Sequence, residues 1–391
     1  LRHSGLALLA ALSLAVPAAV PASSPPLIPL PPREAEAIPV ALLYDIGSGQ
    51  TLFDRRADLR FVPASMTKVM TAYVAFELMR QGKLRADQSF RVAPGTSARF
   101  AASGATMNLR DGEAVSVDML IRGITTISAN DAALVLAEGI AGDVGKWCSM
   151  MNAEARRLGM SDSHFATPNG WPDGGKTFVS ARDLVRLGEA LIYRHPALYR
   201  RYFGQKTFTW PRADGENHDP VVGVVPGADG IKTGHTREAG FNFLGSAERG
   251  GQRLLMVVAG GRSEQERAAA SRVLLEWGFA EWQVLPLFAA GKNVAEARVQ
   301  GGDKRRIALS APFDVHALLP KMFRPDLHGV RLRLTYQGPI VAPIVKGQKV
   351  AELEIAAPGQ PAGRVPLYAA ESVALAGPLD RLVNGLAGLL P

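Results

Sequence analysis

The sequence predicts an α+β fold: an antiparallel sheet flanked by helices, followed by a small all-β C-terminal domain. Three observations predict it. Strand-like segments stand at both ends of residues 38–283, with helical periodicity between them. One sheet assembled from both ends, with helices packed on it, is the economical arrangement. The segment 63–83 is apolar on nearly every side, which puts a helix inside a domain rather than on its surface. Past Trp282 long helical patterns vanish, and short alternating segments between Gly and Pro turns read as a sandwich or barrel.

In chain order, residues 1–22 read as a secretory signal. Arg2 and His3 form a basic start, an apolar core spans 6–16, and Val20-Pro21-Ala22 fits small-residue cleavage. The apolar run is short for a membrane span; an uncleaved anchor is the alternative, and either way the body of the protein is exported. The proline-rich residues 23–37 read as an extended linker. Segments 39–46 and 51–53 are strands joined by Gly47-Ser48-Gly49. Pro63 helps set the start of the central helix and Gly82 its stop. Residues 89–110 read mostly as surface loop. Residues 115–127 have helical periodicity, and Ser128-Ala129-Asn130 leads into a second apolar helix over 131–140. Helices follow over 147–158 and 180–193, the latter capped by Ser180. Segments 241–247 and 253–259 form a meander, and a helix over 263–277 closes the domain. In the β-rich residues 284–376, segments 330–336, 349–355 and 364–368 are strands. In the tail, 377–391, Leu379, Leu382, Val383, Leu386, Leu389 and Leu390 fall on one stripe. That tail either lies flat on a membrane or packs on its own domain.

Composition sets bounds on function. The 391 residues are 47% hydrophobic and 20% charged, an ordinary globular balance. A net charge of +8 suits acidic partners, but no nucleic-acid motif is present and the Lys and Arg are scattered. The single cysteine, Cys148, excludes an internal disulfide, and its neighbours Trp147, Met150 and Met151 indicate a packed thiol. The seven histidines show no ligand-like spacing, so neither a metal nor another cofactor is expected.

Ser65 and Lys68 stand three residues apart, on one face of the central helix. A buried lysine is costly unless it has a task. A serine hydroxyl is a poor nucleophile until a neighbour takes its proton. Burial and nearby positive charge lower a lysine's pKa, and the helix N-terminus adds positive potential. Ser-x-x-Lys alone is a weak pattern, because a capping serine followed by a surface lysine also produces it. Ser128 and Asn130, at a junction between buried helices, read either as helix caps or as side chains turned into a cleft beside Ser65. Lys232-Thr233-Gly234-His235 is a short strand ending in turn residues. Each motif is weak singly; the three together, in this order, are specific.

With these motifs and their surrounding words the chain resembles the penicillin-interacting serine D-Ala-D-Ala peptidases, and within them the low-molecular-mass D-alanyl-D-alanine carboxypeptidases. The words are Pro-Ala-Ser-Met-Thr-Lys-Val-Met-Thr, Ser-Ala-Asn-Asp-Ala, and Asp-Gly-Ile-Lys-Thr-Gly-His-Thr followed by Ala239-Gly240-Phe241-Asn242. The resemblance implies a β-lactamase/transpeptidase-like catalytic domain and periplasmic work on peptidoglycan stem peptides. It also implies acylation by β-lactams and a tail that touches the outer face of the inner membrane. Ser65 would attack the D-Ala-D-Ala carbonyl, Lys68 would take its proton, and Ser128 would relay a proton to the leaving D-alanine. Asn130 would hold the substrate amide. Lys232 and Thr233 would bind the terminal carboxylate, and the N–H groups of Ser65 and His235, past Gly234, would form the oxyanion hole. Two departures stand out: Ser-Ala-Asn replaces the Ser-Asp-Asn of the lactamases, and Asn217-His218-Asp219 stands where the family often carries an Asn-Arg-Asn-like segment. A class A β-lactamase would need a deacylating Glu in Glu-x-x-Leu-Asn; Glu154 and Glu189 have the wrong followers. A non-catalytic peptidoglycan-binding protein on the same fold would have no need of two lysines in a cleft.

Overall fold

The computed structural model describes residues 29–102, 104–323 and 329–377. The expected signal segment and the leucine stripe after residue 377 lie outside the described residues.

The first sheet contains β1 (Val40–Asp45), β2 (Gln50–Arg55), β3 (Ala228–Thr236), β4 (Gly240–Arg249) and β5 (Gln252–Gly261). Their order is β2-β1-β5-β4-β3, antiparallel throughout. The start of this unit's chain thus pairs with its end: Leu42 lies opposite Val257. Both faces are covered, and the period-two alternation of a strand decides which side chain goes where. Leu42, Leu244 and Val257 join the larger helical core. Ala41, Leu43, Phe243 and Val258 pack with Ala270, Leu274 and Trp277 of the closing helix.

The helical layer consists of α1 (Thr67–Arg80), α2 (Val117–Thr126), α3 (Asn130–Ala141), α4 (Val144–Arg157) and α5 (Ala181–Arg194). The closing helix is α6 (Glu264–Ala280). Every residue of α1 from Thr67 to Glu77 is buried, as its all-round apolar sequence requires. Ser180 caps α5 as expected, its side chain accepting from Asp183 N at 3.2 Å. Several local readings change; Arg33–Ala37, inside the segment read as extended linker, is a short helix with Ala35 buried. Residues 114–116 form a short strand paired with residues 89–91, and Ser116 caps α2 by accepting from Met119 N. Ser65 lies not in α1 but in a 3-10 turn, Ala64–Met66, because Ala64 sits in the left-handed region (φ 50°), where an α-helix cannot run.

The C-terminal unit is all-β. An antiparallel pair, β6 (Trp282–Phe288) with β9 (Val315–Pro320), adjoins a six-stranded sheet. That sheet contains β7 (Asn293–Gln300), β8 (Arg306–Ser310), β10 (Arg331–Thr335), β11 (Ile340–Val341), β12 (Lys349–Ala356) and β13 (Gly363–Ala369). Its order is β10-β12-β13-β8-β7-β11.

The β1–β2 turn plugs one unit into the other. Asp45 Oδ1 accepts from Ser48 N and Ser48 Oγ at 2.8 Å each and lies 2.9 Å from His316 Nε2, all three residues buried. At Gly363 the two backbones meet so closely that an added Cβ would fall 2.0 Å from Ser48 O. A buried polar group that loses its partner costs about 1–3 kcal/mol. His316→Ala is therefore expected to lower stability by about that amount in denaturant unfolding, while the circular dichroism of the folded protein is unchanged. An unchanged unfolding midpoint would contradict the seam's role.

Candidate active site

Segments distant in sequence converge on Ser65. The 3-10 turn carries the hydroxyl, α1 carries Lys68 in its first turn, and the edge strand β3 carries Lys232, Thr233, Gly234 and His235. Close packing of backbones holds them together. A Cβ on Gly234 would lie 2.4 Å from Pro63 O and 3.2 Å from Met66 N, so only glycine lets β3 approach the turn that carries Ser65. Asn242 on the neighbouring β4 is fully buried; its amide donates to Val62 O at 3.1 Å and its carbonyl accepts from Gly260 N at 2.8 Å. It ties the sheet to the segment leading into Ser65.

Lys68 is 1% exposed, and its Nζ has three neighbours: Ser65 Oγ at 2.9 Å, Asn130 Oδ1 at 2.8 Å and the Asn169 carbonyl at 2.8 Å. Burial pushes its pKa well below the usual lysine value. The charge on Lys232 pushes the same way, and Asp131 opposes both. A neutral primary amine has two N–H bonds and one lone pair. In that neutral form the two carbonyl oxygens can take both N–H groups and the lone pair can face the Ser65 hydroxyl.

Ser128-Ala129-Asn130 occupies the α2–α3 junction. Asn130 opens α3 and turns its side chain to Lys68 rather than acting as a cap. Ser128 is held in the left-handed region (φ 63°), an unusual backbone for a non-glycine residue. Its buried Oγ has no hydrogen-bond partner among the described residues. The buried Asp131 braces this turn: its carboxylate accepts from Met107 N, Leu109 N and Ala132 N at 2.8–3.1 Å.

Lys232 is buried, with its Nζ donating to Thr233 O at 3.1 Å. Burial lowers its pKa to about 7; Asp219 opposes the shift and Arg267 adds to it. Thr233 is half-buried, and His235 is exposed at the mouth, stacked on Phe241 at 4.0 Å between ring centroids.

The segment 217–219 builds its own loop. Asn217 Nδ2 donates to Gln205 O, and Asp219 Oδ1 accepts from Val221 N and Val222 N. Asp219 thereby places a carboxylate where it supports the charge of Lys232.

Two contributors carry no motif. Asn169 acts through its carbonyl, which any residue type possesses. Gly170, with φ 77°, runs so near the turn that carries Ser65 that a Cβ would fall 1.8 Å from Ala64 O. The only signal for either was the turn-like Pro168-Asn169-Gly170. Cys148 is buried, and burial lifts its thiol to about 11, in keeping with a packed rather than reactive residue.

Gly234→Ala is expected to displace β3 from the 3-10 turn. A misplacement of about 1 Å is worth roughly 10²-fold in rate, so acylation by a fluorescent penicillin should slow by about that factor. An acylation rate equal to wild type would show that the contact does not position the site.

Comparison with known proteins gives a consistent result. A family model described as D-alanyl-D-alanine carboxypeptidase matches residues 30–263, and one for the C-terminal domain of penicillin-binding protein 5 matches residues 282–375. The chain is 34% identical over 346 residues to D-alanyl-D-alanine carboxypeptidase DacD of Salmonella typhimurium, covering 87% of each chain. It is 33% identical over 336 residues to DacA of Escherichia coli K12, covering 85% of this chain and 82% of that protein. Among solved structures, penicillin-binding protein 5 from Haemophilus influenzae superposes with a TM-score of 0.69 at 31% identity, over 90% of this chain and all of that one. Penicillin-binding protein D2 from Listeria monocytogenes, in its ampicillin-bound form, superposes with a TM-score of 0.54 at 31% identity, over 62% of this chain and 97% of that one.

Proposed function

The chain belongs to the D-alanyl-D-alanine carboxypeptidase family, and on that premise we propose that Ser65 is the nucleophile and Lys68 its base. The protein is a serine-type D-Ala-D-Ala carboxypeptidase that works through an acyl-enzyme and is acylated by β-lactams. The observation that carries the assignment of residues is the Lys68 amine, buried, with both N–H groups taken and 2.9 Å from Ser65 Oγ.

The lone pair of Lys68 takes the Ser65 proton as Oγ attacks the carbonyl of the D-Ala-D-Ala bond. The negative charge that develops on the carbonyl oxygen meets the N–H groups of Ser65 and His235, each worth on the order of 3 kcal/mol in the transition state. Ser128, whose Oγ has no competing partner among the described residues, relays a proton to the departing D-alanine nitrogen. Asn130 orients the substrate amide while bridging to Lys68. Lys232 and Thr233 bind the terminal carboxylate through charge-assisted hydrogen bonds, and Gly234 keeps them within reach. Water then cleaves the acyl-enzyme.

Residues 38–283 are the catalytic unit in this reading and 284–376 the β-rich unit. The signal-like residues 1–22 support a periplasmic location, where the substrates would be peptidoglycan stem peptides. The leucine stripe of the tail supports contact with the outer face of the inner membrane.

Ser65→Ala should abolish both stable penicillin labelling and D-alanine release from a D-Ala-D-Ala peptide. Lys68→Arg puts in a guanidinium that stays protonated and cannot take the Ser65 proton, and should slow acylation by about 10³-fold, the scale of general-base catalysis. Labelling at the wild-type rate in either variant would overturn the assignment, and rapid turnover of the lactam by wild type would point to a lactamase.

The pH dependence follows from Lys232. Its pKa of about 7 means that the free enzyme loses this positive charge as pH rises through 7. Attraction for the substrate carboxylate falls with it, so kcat/KM should decline above that pH, chiefly through KM. Lys232→Arg keeps its charge and should lose the decline; a decline that persists in this variant would assign it to another group.

A further inference from the structure

A cleft of about 750 Å³ opens between the two units, far from Ser65. Arg80, on its rim, lies twelve residues beyond Lys68 on α1, or about 18 Å along the helix axis. The catalytic unit contributes Arg80, Arg157, Arg186 and Arg194 to the wall, and the β-rich unit contributes Lys346, Lys349 and Arg364. Only two lining side chains are acidic, Glu189 and Glu352.

Ion pairs cancel part of this charge imbalance and leave a net positive excess. Arg80 and Arg194 share one carboxylate, Glu77; Arg157 pairs with Glu154, Arg186 with Asp183 and Arg364 with Glu354. None of those acids lines the cleft. Lys346 has no ion pair among the described residues. Glu352 is taken by Lys349 at 2.9 Å. Burial lifts the Glu189 carboxyl to about 7, with Lys349 and Arg186 opposing, so this acid is partly neutral near that pH. The floor is aromatic: Tyr44, Tyr193 and Tyr368 line it. A concave site of this size, with an aromatic floor and a few convergent charges, has the character of a small-molecule site, and low-dielectric walls concentrate the positive potential.

We propose that this interdomain cleft binds a small multivalent oxyanion, carrying carboxylate or phosphate groups, held by cations from both units at once. The proposal is independent of the chemistry at Ser65. Such a ligand would bridge α4 and α5 to the β12 side of the second sheet.

The test is calorimetric titration of the full chain at about 50 mM salt, where screening is weak. The probes are citrate and inorganic pyrophosphate, and penicillin labelling of each sample serves as the control for folding. Wild type should bind at least one probe saturably. Lys346→Glu combined with Lys349→Glu, both exposed on the β-rich wall, should weaken binding at least tenfold. Arg157→Gln, on the opposite wall, should weaken it about threefold. Labelling at Ser65 should be unchanged throughout. Binding of citrate alone would identify carboxylates as the ligand groups, and pyrophosphate alone would identify phosphates; binding of both would make charge the determinant. No saturable binding of either probe, or equal affinity in wild type and both variants, would overturn the proposal whatever the outcome at Ser65.

Discussion

The structure is organised around one costly placement, an amine inside the protein. Lysine has no strong reason to leave water, and an isolated buried ammonium is among the least favourable groups a fold can contain. Here the cost is met in two ways. Burial and the neighbouring Lys232 favour the neutral form, and the neutral form finds fixed acceptors in Asn130 and the Asn169 carbonyl. What makes Lys68 tolerable inside the protein therefore also holds its amine 2.9 Å from the Ser65 hydroxyl, the geometry on which its proposed role as base rests.

The surrounding architecture serves that placement. α1 is buried over eleven residues, so its first turn has little freedom to shift. The left-handed Ala64 breaks the helix just before Ser65 and presents the hydroxyl on a turn. Gly170 and Gly234 let two other segments approach that turn at distances no side chain would permit. Asp131 spends its carboxylate on three backbone N–H groups, fixing the turn that carries Ser128 and Asn130. The second lysine is handled differently. Lys232 donates to the Thr233 carbonyl and keeps a carboxylate nearby in Asp219, so burial lowers its pKa only to about 7.

The seam between the two units shows the same economy. The β1–β2 turn enters the β-rich unit through Asp45, Ser48 and His316, a fully buried polar cluster. Beside it lies a wide basic cleft. A rigid tie next to an open, charged crevice leaves the two walls in register, which a ligand gripping both of them requires.

The sequence by itself determined the layered α+β unit, the all-β unit after it, the buried central helix, the Ser180 cap and the three polar motifs. Each of these depends on local periodicity, turn chemistry or the order of short words along the chain. It did not determine that Ser65 sits on a 3-10 turn, that Asn130 turns to Lys68 instead of capping α3, that a backbone carbonyl at Asn169 completes the lysine's shell, or that a basic cleft lies between the units. The contacts among these were decided only when segments far apart in sequence came together, Lys68 meeting Asn130 62 residues on and Asn169 101 residues on. A carbonyl looks the same at every position of a chain, and charges scattered along a sequence acquire a direction only once folding brings them to face one another.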